Sequence, residues 1–195
     1  MRTATITRNT NETQISLSIN LDGGGQASIN SGIGFLDHML TLFTKHSACD
    51  LSVCATGDVQ VDDHHLTEDI GIALGLAIRQ ALGDKKGIRR YGSMLLPMDE
   101  VLMLAALDCS GRPFFMWEVA LTQPKVGTWD SELAEDFFRA LAVNGGLTLH
   151  LHMLSGSNTH HIVEGCFKAV ARALREAISP DPRETGVPST KGTLT

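Results

Sequence analysis

The sequence predicts an α+β protein built from two similar halves, each running β-β-(β)-α-β-α, with helices packed on mainly antiparallel sheets. Three observations predict it. The motif Asp62-Asp-His64-His65-Leu-Thr-Glu68 returns as Asn158-Thr-His160-His161-Ile-Val-Glu164, at a constant offset of 96 residues (His64 to His160, Glu68 to Glu164). Each copy opens an apolar-periodic stretch, Ile70 to Leu82 and Ile162 to Ile178. Strand-like stretches and one further helix precede both copies in the same order, the signature of an internal duplication.

The elements follow in order. Ala4 to Arg8 and Thr13 to Leu21 fit period two, with Ile15, Leu17, Ile19 and Leu21 on one face. Asp22-Gly23-Gly24-Gly25 reads as a hairpin turn, and Gln26 to Asn30 as the returning strand. A helix from about Ile33 to His46 and a strand from Leu51 to Val61 lead to the first motif helix, which ends near Gly83. Gly87 to Gly92 joins the halves. Leu95 to Leu107 and Phe114 to Leu121 are strand-like, joined by Ser110-Gly111-Arg112-Pro113. A helix from about Ser131 to Val143 and a strand from Leu147 to Leu154 precede the second motif helix. The expected units are residues 1–90, residues 91–179, and a tail, 180–195, whose Pro, Thr, Ser and Gly content reads as a loop or mobile arm.

Composition narrows the function. A hydrophobic share of 43% can fill a sizeable core, and a net charge of −6 argues against a general nucleic-acid binder. Local Arg and Lys clusters can still receive an anionic small molecule. Cys49, Cys54, Cys109 and Cys166 form no C-x-x-C pair, so free thiols and a reducing compartment are expected. No apolar run approaches membrane-spanning length and Met1 to Thr5 begins no apolar signal segment, so a soluble cytoplasmic protein is expected.

The duplicated motif points to a transition-metal site, because imidazole and carboxylate together are good ligands for Mn, Fe or Zn. His64 and Glu68 stand four apart and His65 and Glu68 three apart, so either pair can share a helix face. His64 and His65 point about 100° apart on a helix, so the two imidazoles serve different metals or different roles. Four such histidines and two glutamates suit a two-metal arrangement. The duplication adds His38, 26 residues before His64, and Asp136, 24 before His160, as counterparts within a two-residue slip. His46, His150 and His152 have no repeated partner and are read as ordinary histidines.

Arg89, Arg90, Arg112, Lys168 and Lys191 are candidate anion contacts, although Lys168 stands four after Glu164 and can equally form a helix salt bridge. Pro188-Ser189-Thr190-Lys191-Gly192 offers hydroxyls, a turn and a cation, the means of holding a phosphate. A metal-dependent hydrolase or isomerase acting on a phosphorylated small molecule fits these features. A metal-storage shell fits the histidines but leaves the phosphate set without a use.

At this point the motifs resemble a known family. Gly34-Phe-Leu-Asp-His38-Met-Leu, Asp62 to Asp69, Pro97-Met-Asp99-Glu, Ser110-Gly-Arg112-Pro, Asn158 to Glu164 and Pro188-Ser-Thr-Lys191-Gly span nearly the whole chain in the order seen in imidazoleglycerol-phosphate dehydratases. The resemblance implies a ribosomal protein S5 domain 2-like fold and a monofunctional enzyme of histidine biosynthesis. It implies two Mn²⁺ per active site, bound between subunits of a 24-subunit homo-oligomer built from trimers. One site would use His38, His65, Glu68 and His161, the other His64, His160 and Glu164. Relatives often carry His where Asp136 stands here, so Asp136 would complete the second site directly or through water.

The implied reaction is dehydration of D-erythro-imidazole-glycerol phosphate to imidazole acetol phosphate. The C–H bond to be broken is not acidic, and an imidazolate held by metals makes the ring an electron reservoir, with a diazafulvene-like intermediate. Glu12 matches the family's acid/base carboxylate, and Asp99 is a second carboxylate in a matching motif. Arg90, Arg112, Lys168, Ser189 and Lys191 match the phosphate-binding set.

Overall fold

The computed structural model describes residues 1–194. Thr195, the last residue of the expected tail, lies outside the described residues. The elements are β1 (Thr3–Asn9), β2 (Thr13–Asn20), β3 (Ala27–Asn30), α1 (Gly34–Ser47), β4 (Asp50–Gly57) and α2 (His64–Leu82) in the first half. The second half holds β5 (Tyr91–Met98), β6 (Val101–Asp108), β7 (Phe114–Glu118), a short β8 (Lys125–Val126) and β9 (Trp129–Asp130) hairpin, α3 (Leu133–Gly145), β10 (Thr148–Ser155) and α4 (Thr159–Ile178).

The two main sheets have the same topology, β1-β2-β4-β3 and β5-β6-β10-β7. Their registers repeat as well. Arg8 pairs with Ile15 and, 88 residues on, Leu96 pairs with Met103 (Thr3 to Tyr91 and Thr13 to Val101 give the same offset). Each sheet turns one face of alternating apolar residues inward, as period two requires: Ile15, Leu17 and Ile19 in one, Val101, Met103 and Ala105 in the other. The outer faces differ. The first is polar, with Thr5, Gln14, Ser16, Ser18 and Ser52, while the second carries Leu95, Leu104, Phe114 and Met116.

The helices pack between the sheets, and they do so across the halves. α2 lies on β1 and β2 and α4 on β5 and β6, but α1 packs on α4 and α3 on α2. One continuous apolar core therefore runs through both halves. α2 and α3 approach closely at Gly71 and Gly75, where a Cβ would meet the carbonyl oxygens of Phe137 at 2.7 Å and Leu141 at 2.6 Å. The counterparts in α4 are Phe167 and Ala171, and Phe167 stacks against Phe137 and Phe138 with ring centroids 4.9 and 4.7 Å away.

Three local expectations are corrected. Asp22 to Gly25 does not close a hairpin: β3 pairs in parallel with β4 at the far edge of the sheet. The cause is Asp50, whose carboxylate accepts the N–H groups of Gly24 and Gln26 at 2.8 and 2.9 Å and draws the connection across the end of β4. The expected strand Leu51 to Val61 ends at Gly57, where the chain turns through Asp58 to enter α2. The single stretch Leu95 to Leu107 is two strands, broken at Asp99 (φ 50°) and Glu100.

The tail is docked rather than loose. It is joined to the linker between the halves by Ile88 bridging Pro180, Gly87 N–H donating to Gly186 O (2.9 Å), Arg90 donating to Pro188 O (2.9 Å) and Lys85 Nζ donating to Leu194 O (3.2 Å). Lys85 is buried, which pushes its ammonium below the usual lysine range. Glycine is required at 111, where φ is 80° and a Cβ would lie 2.4 Å from Leu194 O.

Candidate metal and phosphate site

Both motif copies open helices, and a short polar side chain meets the first turn of each, as the N-cap itself only in α4. Asp62 accepts the His64 N–H at 2.8 Å, and Asn158 accepts the His161 N–H at 3.3 Å. Asp37 gathers the Ser31 N–H and hydroxyl at 2.9 and 2.6 Å, which fixes the entry to α1 and presents His38. The paired rings stay nearly perpendicular in each copy: 90° between His64 and His65, 84° between His160 and His161. Adjacent histidines thus face different neighbours.

His38 from α1 meets His160 and Glu164 from α4. Nε2 of His38 lies 3.5 Å, and Nε2 of His160 3.2 Å, from the same Glu164 oxygen. Among the described residues this is the one group of three side chains able to hold a metal whose donor atoms all lie within 4.8 Å of one another. Lys168 holds the other Glu164 oxygen at 2.5 Å. Burial alone would raise the Glu164 carboxyl, but Lys168, His160 and His38 outweigh it and hold it below its usual range.

The first motif makes the matching arrangement more loosely. His64 lies 3.8 Å from Asp136 of α3 and 4.0 Å from Glu68. Asp136 precedes β10 by the same interval as His38 precedes β4 (His38 to Asp50, Asp136 to Thr148). The slip in the repeat therefore falls after these strands, and Asp136 stands in the structural place of His38.

His65 and His161 point elsewhere. Nδ1 of His65 is 3.0 Å from Asp58 and 3.9 Å from Glu12; Nδ1 of His161 is 3.0 Å from Glu100 and 3.9 Å from Asp99. These carboxylates raise both imidazoles above their ordinary pKa, through the Asp58 and Glu100 hydrogen bonds first. Glu100 is held down to about 2 by His161 and by the N–H groups of Asn158 and Ser157. A carboxylate on Nδ1 sets the tautomer and leaves Nε2 free to ligate. Asp58 and Glu100 were missed as orienting groups. Only Glu100's adjacency to Asp99 in the Pro97 motif could have flagged one of them.

The phosphate candidates divide. Arg90, Arg112, Ser189 and Lys191 line one open pocket with Tyr91 and Thr190. Arg90 is braced there by Asp108 at 2.8 and 3.1 Å. Lys168 does not line it but stands beside Glu164, and Arg89 pairs with Glu176 at 3.7 Å. His152 pairs with Glu118 (2.9 Å) and stacks on His150 on the outer sheet face, away from these groups.

Comparison with known proteins shows the family of the chain. A profile of the family described as imidazoleglycerol-phosphate dehydratase matches residues 31–174. The imidazoleglycerol-phosphate dehydratase of Granulibacter bethesdensis is 59% identical over 194 residues, covering 99% of each chain. That of Dinoroseobacter shibae is 57% identical over 195 residues, covering 100% of each. The crystal structure of the Staphylococcus aureus imidazoleglycerol-phosphate dehydratase superimposes with a TM-score of 0.84 at 45% identity, covering 92% of this chain and 99% of that one. A Pyrococcus furiosus structure, described as IGPD in complex with (S)-C348, gives 0.83 at 38% identity over 97% and 100%.

Proposed function

The chain belongs to the imidazoleglycerol-phosphate dehydratase family of hydro-lyases, and from that membership we propose that it removes water from D-erythro-imidazole-glycerol phosphate to give imidazole acetol phosphate. The observation that carries the reading is the meeting of His38, His160 and Glu164, drawn from both halves, around one point. Two imidazoles and a carboxylate suit a first-row divalent ion, and the proposed cofactor is two Mn²⁺ per active site. His64, Glu68 and Asp136 form the counterpart of this set. His65 and His161, with Nε2 free, would reach metals shared with a neighbouring copy, which is how His65 and Glu68 would join His38. The apolar outer face of the second sheet supports association of copies, proposed here as a 24-subunit shell of trimers. Four unpaired cysteines suit the reducing cytoplasm. Among the described residues no helix is long and apolar enough to cross a membrane.

When bound, the metals act as Lewis acids and as a template, withdrawing electron density from the imidazole ring. The chain's own groups do the rest. Arg112, Ser189 and Lys191 take the phosphate, and Arg90, held by Asp108 and Pro188, shapes that pocket. Asp58 and Glu100 orient His65 and His161. The hydroxyl on the carbon next to the ring departs with a proton, and the hydrogen on the following carbon is lost as a proton. The enol so formed becomes the ketone. Glu12, exposed and 3.9 Å from His65, moves the proton at its carboxylate, and Asp99 positions substrate near His161.

The test is turnover. Metal-replete protein is expected to release an enolisable ketone, read by absorbance in alkali, from imidazoleglycerol phosphate. No product above the uncatalysed rate would overturn the reading. Chelation is expected to abolish this activity and shrink the particle by light scattering, because ligands from several elements converge on each ion and binding energy becomes assembly energy.

A further inference from the structure

We propose that Asp69 is a positioning residue for Glu12, acting through Thr13 and Thr10 with Arg8; this rests on the reading of Glu12 as the proton-transfer group. Asp69 follows Glu68 in α2 and is 7% exposed. Its carboxylate accepts the Thr13 hydroxyl at 2.5 Å on one oxygen and Arg8 Nη2 at 2.7 Å on the other. With the Thr13 proton so committed, the Thr10 hydroxyl donates to Thr13 Oγ1 at 3.2 Å. Thr10 Oγ1 in turn accepts the N–H groups of Thr13 at 2.9 Å and Glu12 at 3.1 Å. The turn carrying Glu12 is thereby tied to the helix carrying Glu68, while the Glu12 carboxylate itself receives no hydrogen bond among the described residues.

The second half supplies a built-in control. The strand offset of 88 residues places Leu96 for Arg8, Val101 for Thr13 and Glu100 for Glu12, and the motif offset of 96 places Gly165 for Asp69. There the contact is hydrocarbon: a Cβ on Gly165 would touch Val101 Cγ1 at 3.4 Å. The same fold therefore closes this position without a charge. Glu100 is held instead by its own carboxylate, bonded to His161 and to the N–H of Asn158 at 2.8 Å. That binding would immobilise an acid/base group. The buried network in the first half fixes the backbone and leaves the carboxylate free. Stability is a weak account of it: the Arg8 side chain is one third exposed, and apolar replacement of a pair that is taken out of water is often neutral or stabilising. Arg8 Nε is moreover buried without a partner.

The test uses metal-replete, assembled protein and three variants. Asp69→Asn removes the charge. The triple variant Arg8→Leu, Thr13→Val, Asp69→Gly copies the second half and keeps the test open where Asp69→Asn fails to fold. Glu12→Gln provides the background for a double-mutant cycle. The triple variant is expected to lose about 10- to 100-fold in kcat, the order of effect of a small misplacement of a reacting group. KM and metal content should stay within about twofold of wild type. In the Glu12→Gln background the same changes should cost almost nothing further. A wild-type kcat in the triple variant overturns the proposal, as does an equal loss with and without Glu12. A wild-type rate for Glu12→Gln alone overturns the reading of Glu12 and this proposal with it. Absence of turnover in the unaltered protein is the separate failure of the family reaction.

Discussion

Glu164 and Glu68 occupy the same place in the two repeats, yet one is 10% exposed and the other 48%. Lys168 clamps Glu164, whereas the position four after Glu68 is Ile72, which cannot. His38 closes the second-half cluster with an imidazole; Asp136, with a shorter reach, leaves its partner at 3.8 Å. The same asymmetry recurs below the site, where an Arg8–Asp69–Thr13 network in one half faces Leu96, Gly165 and Val101 in the other. Between the helices, Gly71 and Gly75 stand against Phe167 and Ala171. Duplication preserved backbone register and the spacing of the His-His-x-x-Glu motif. What diverged is how each of these side chains is held.

The pair Glu12 and Glu100 should separate the two halves most strongly. Glu12→Gln is expected to lower kcat by about 10²–10⁴-fold with substrate binding retained, the usual contribution of a general acid–base group. Glu100→Gln should act mainly on metal affinity, since Glu100 orients His161, and metal analysis beside kinetics separates the two. Equal kinetic losses, with metal content unchanged in both, would mean that the halves are functionally equivalent here.

Stability should divide between the two helix contacts. Phe167→Ala removes a fully buried ring from the Phe137–Phe138 cluster and is expected to cost about 3–5 kcal/mol. Gly75→Ala forces a methyl against the Leu141 carbonyl and is expected to cost about 1–3 kcal/mol. Denaturant unfolding of the assembled protein measures both. A stabilised Gly75→Ala would show that the close approach of α2 and α3 is not required.

Asp136 and His38 differ in side chain at equivalent places. Asp136→Ala is expected to weaken one bound metal by at least about 10–100-fold, the effect typical of losing even an outer partner of a metal. Asp136→His should restore it by recreating the arrangement around His38. Metal analysis of dialysed variants decides this, and unchanged affinity in Asp136→Ala would remove Asp136 from the ligand set.

The smallest effect is on acid stability. Asp50 and Thr148 begin equivalent strands and both hold the preceding connection, Asp50 by accepting amides and Thr148 by donating to Arg112 O at 3.2 Å. The amides of Gln26 and Gly24 hold the Asp50 carboxyl below its ordinary 3.8. Its contribution is therefore present above that value and lost as pH falls through the lower folded one. Hydrogen exchange of residues 22–30 should rise in acid, while residues 109–113 stay unchanged, and Asp50→Asn should abolish the difference.

Much was legible in the sequence because its signals are short-range. Period-two alternation marked β1 and β2, helical periodicity marked α2 and α4, the offset of 96 named His160 and Glu164, and the place of His38 before the first motif named the third member of the cluster. His64 and His65 facing different neighbours followed from helix geometry alone. The hairpin reading of Asp22 to Gly25 was wrong because turn residues report only local φ and ψ. The competing carboxylate came from Asp50, more than twenty residues away. Asp58 was invisible for the same reason: nothing in its local context differs from an ordinary loop acid.

The sequence by itself determined the two-fold repeat, the four helices and the donor types. These depend on spacing along one chain, and spacing is a property of the chain. Only the tertiary structure decided that α1 packs on α4 and α3 on α2, so that His38 meets His160 and Asp136 meets His64. It also decided that the tail is held by Lys85, Gly87 and Arg90. Those choices depend on which apolar faces fit together across the core and which buried polar groups find partners, and no local periodicity encodes either.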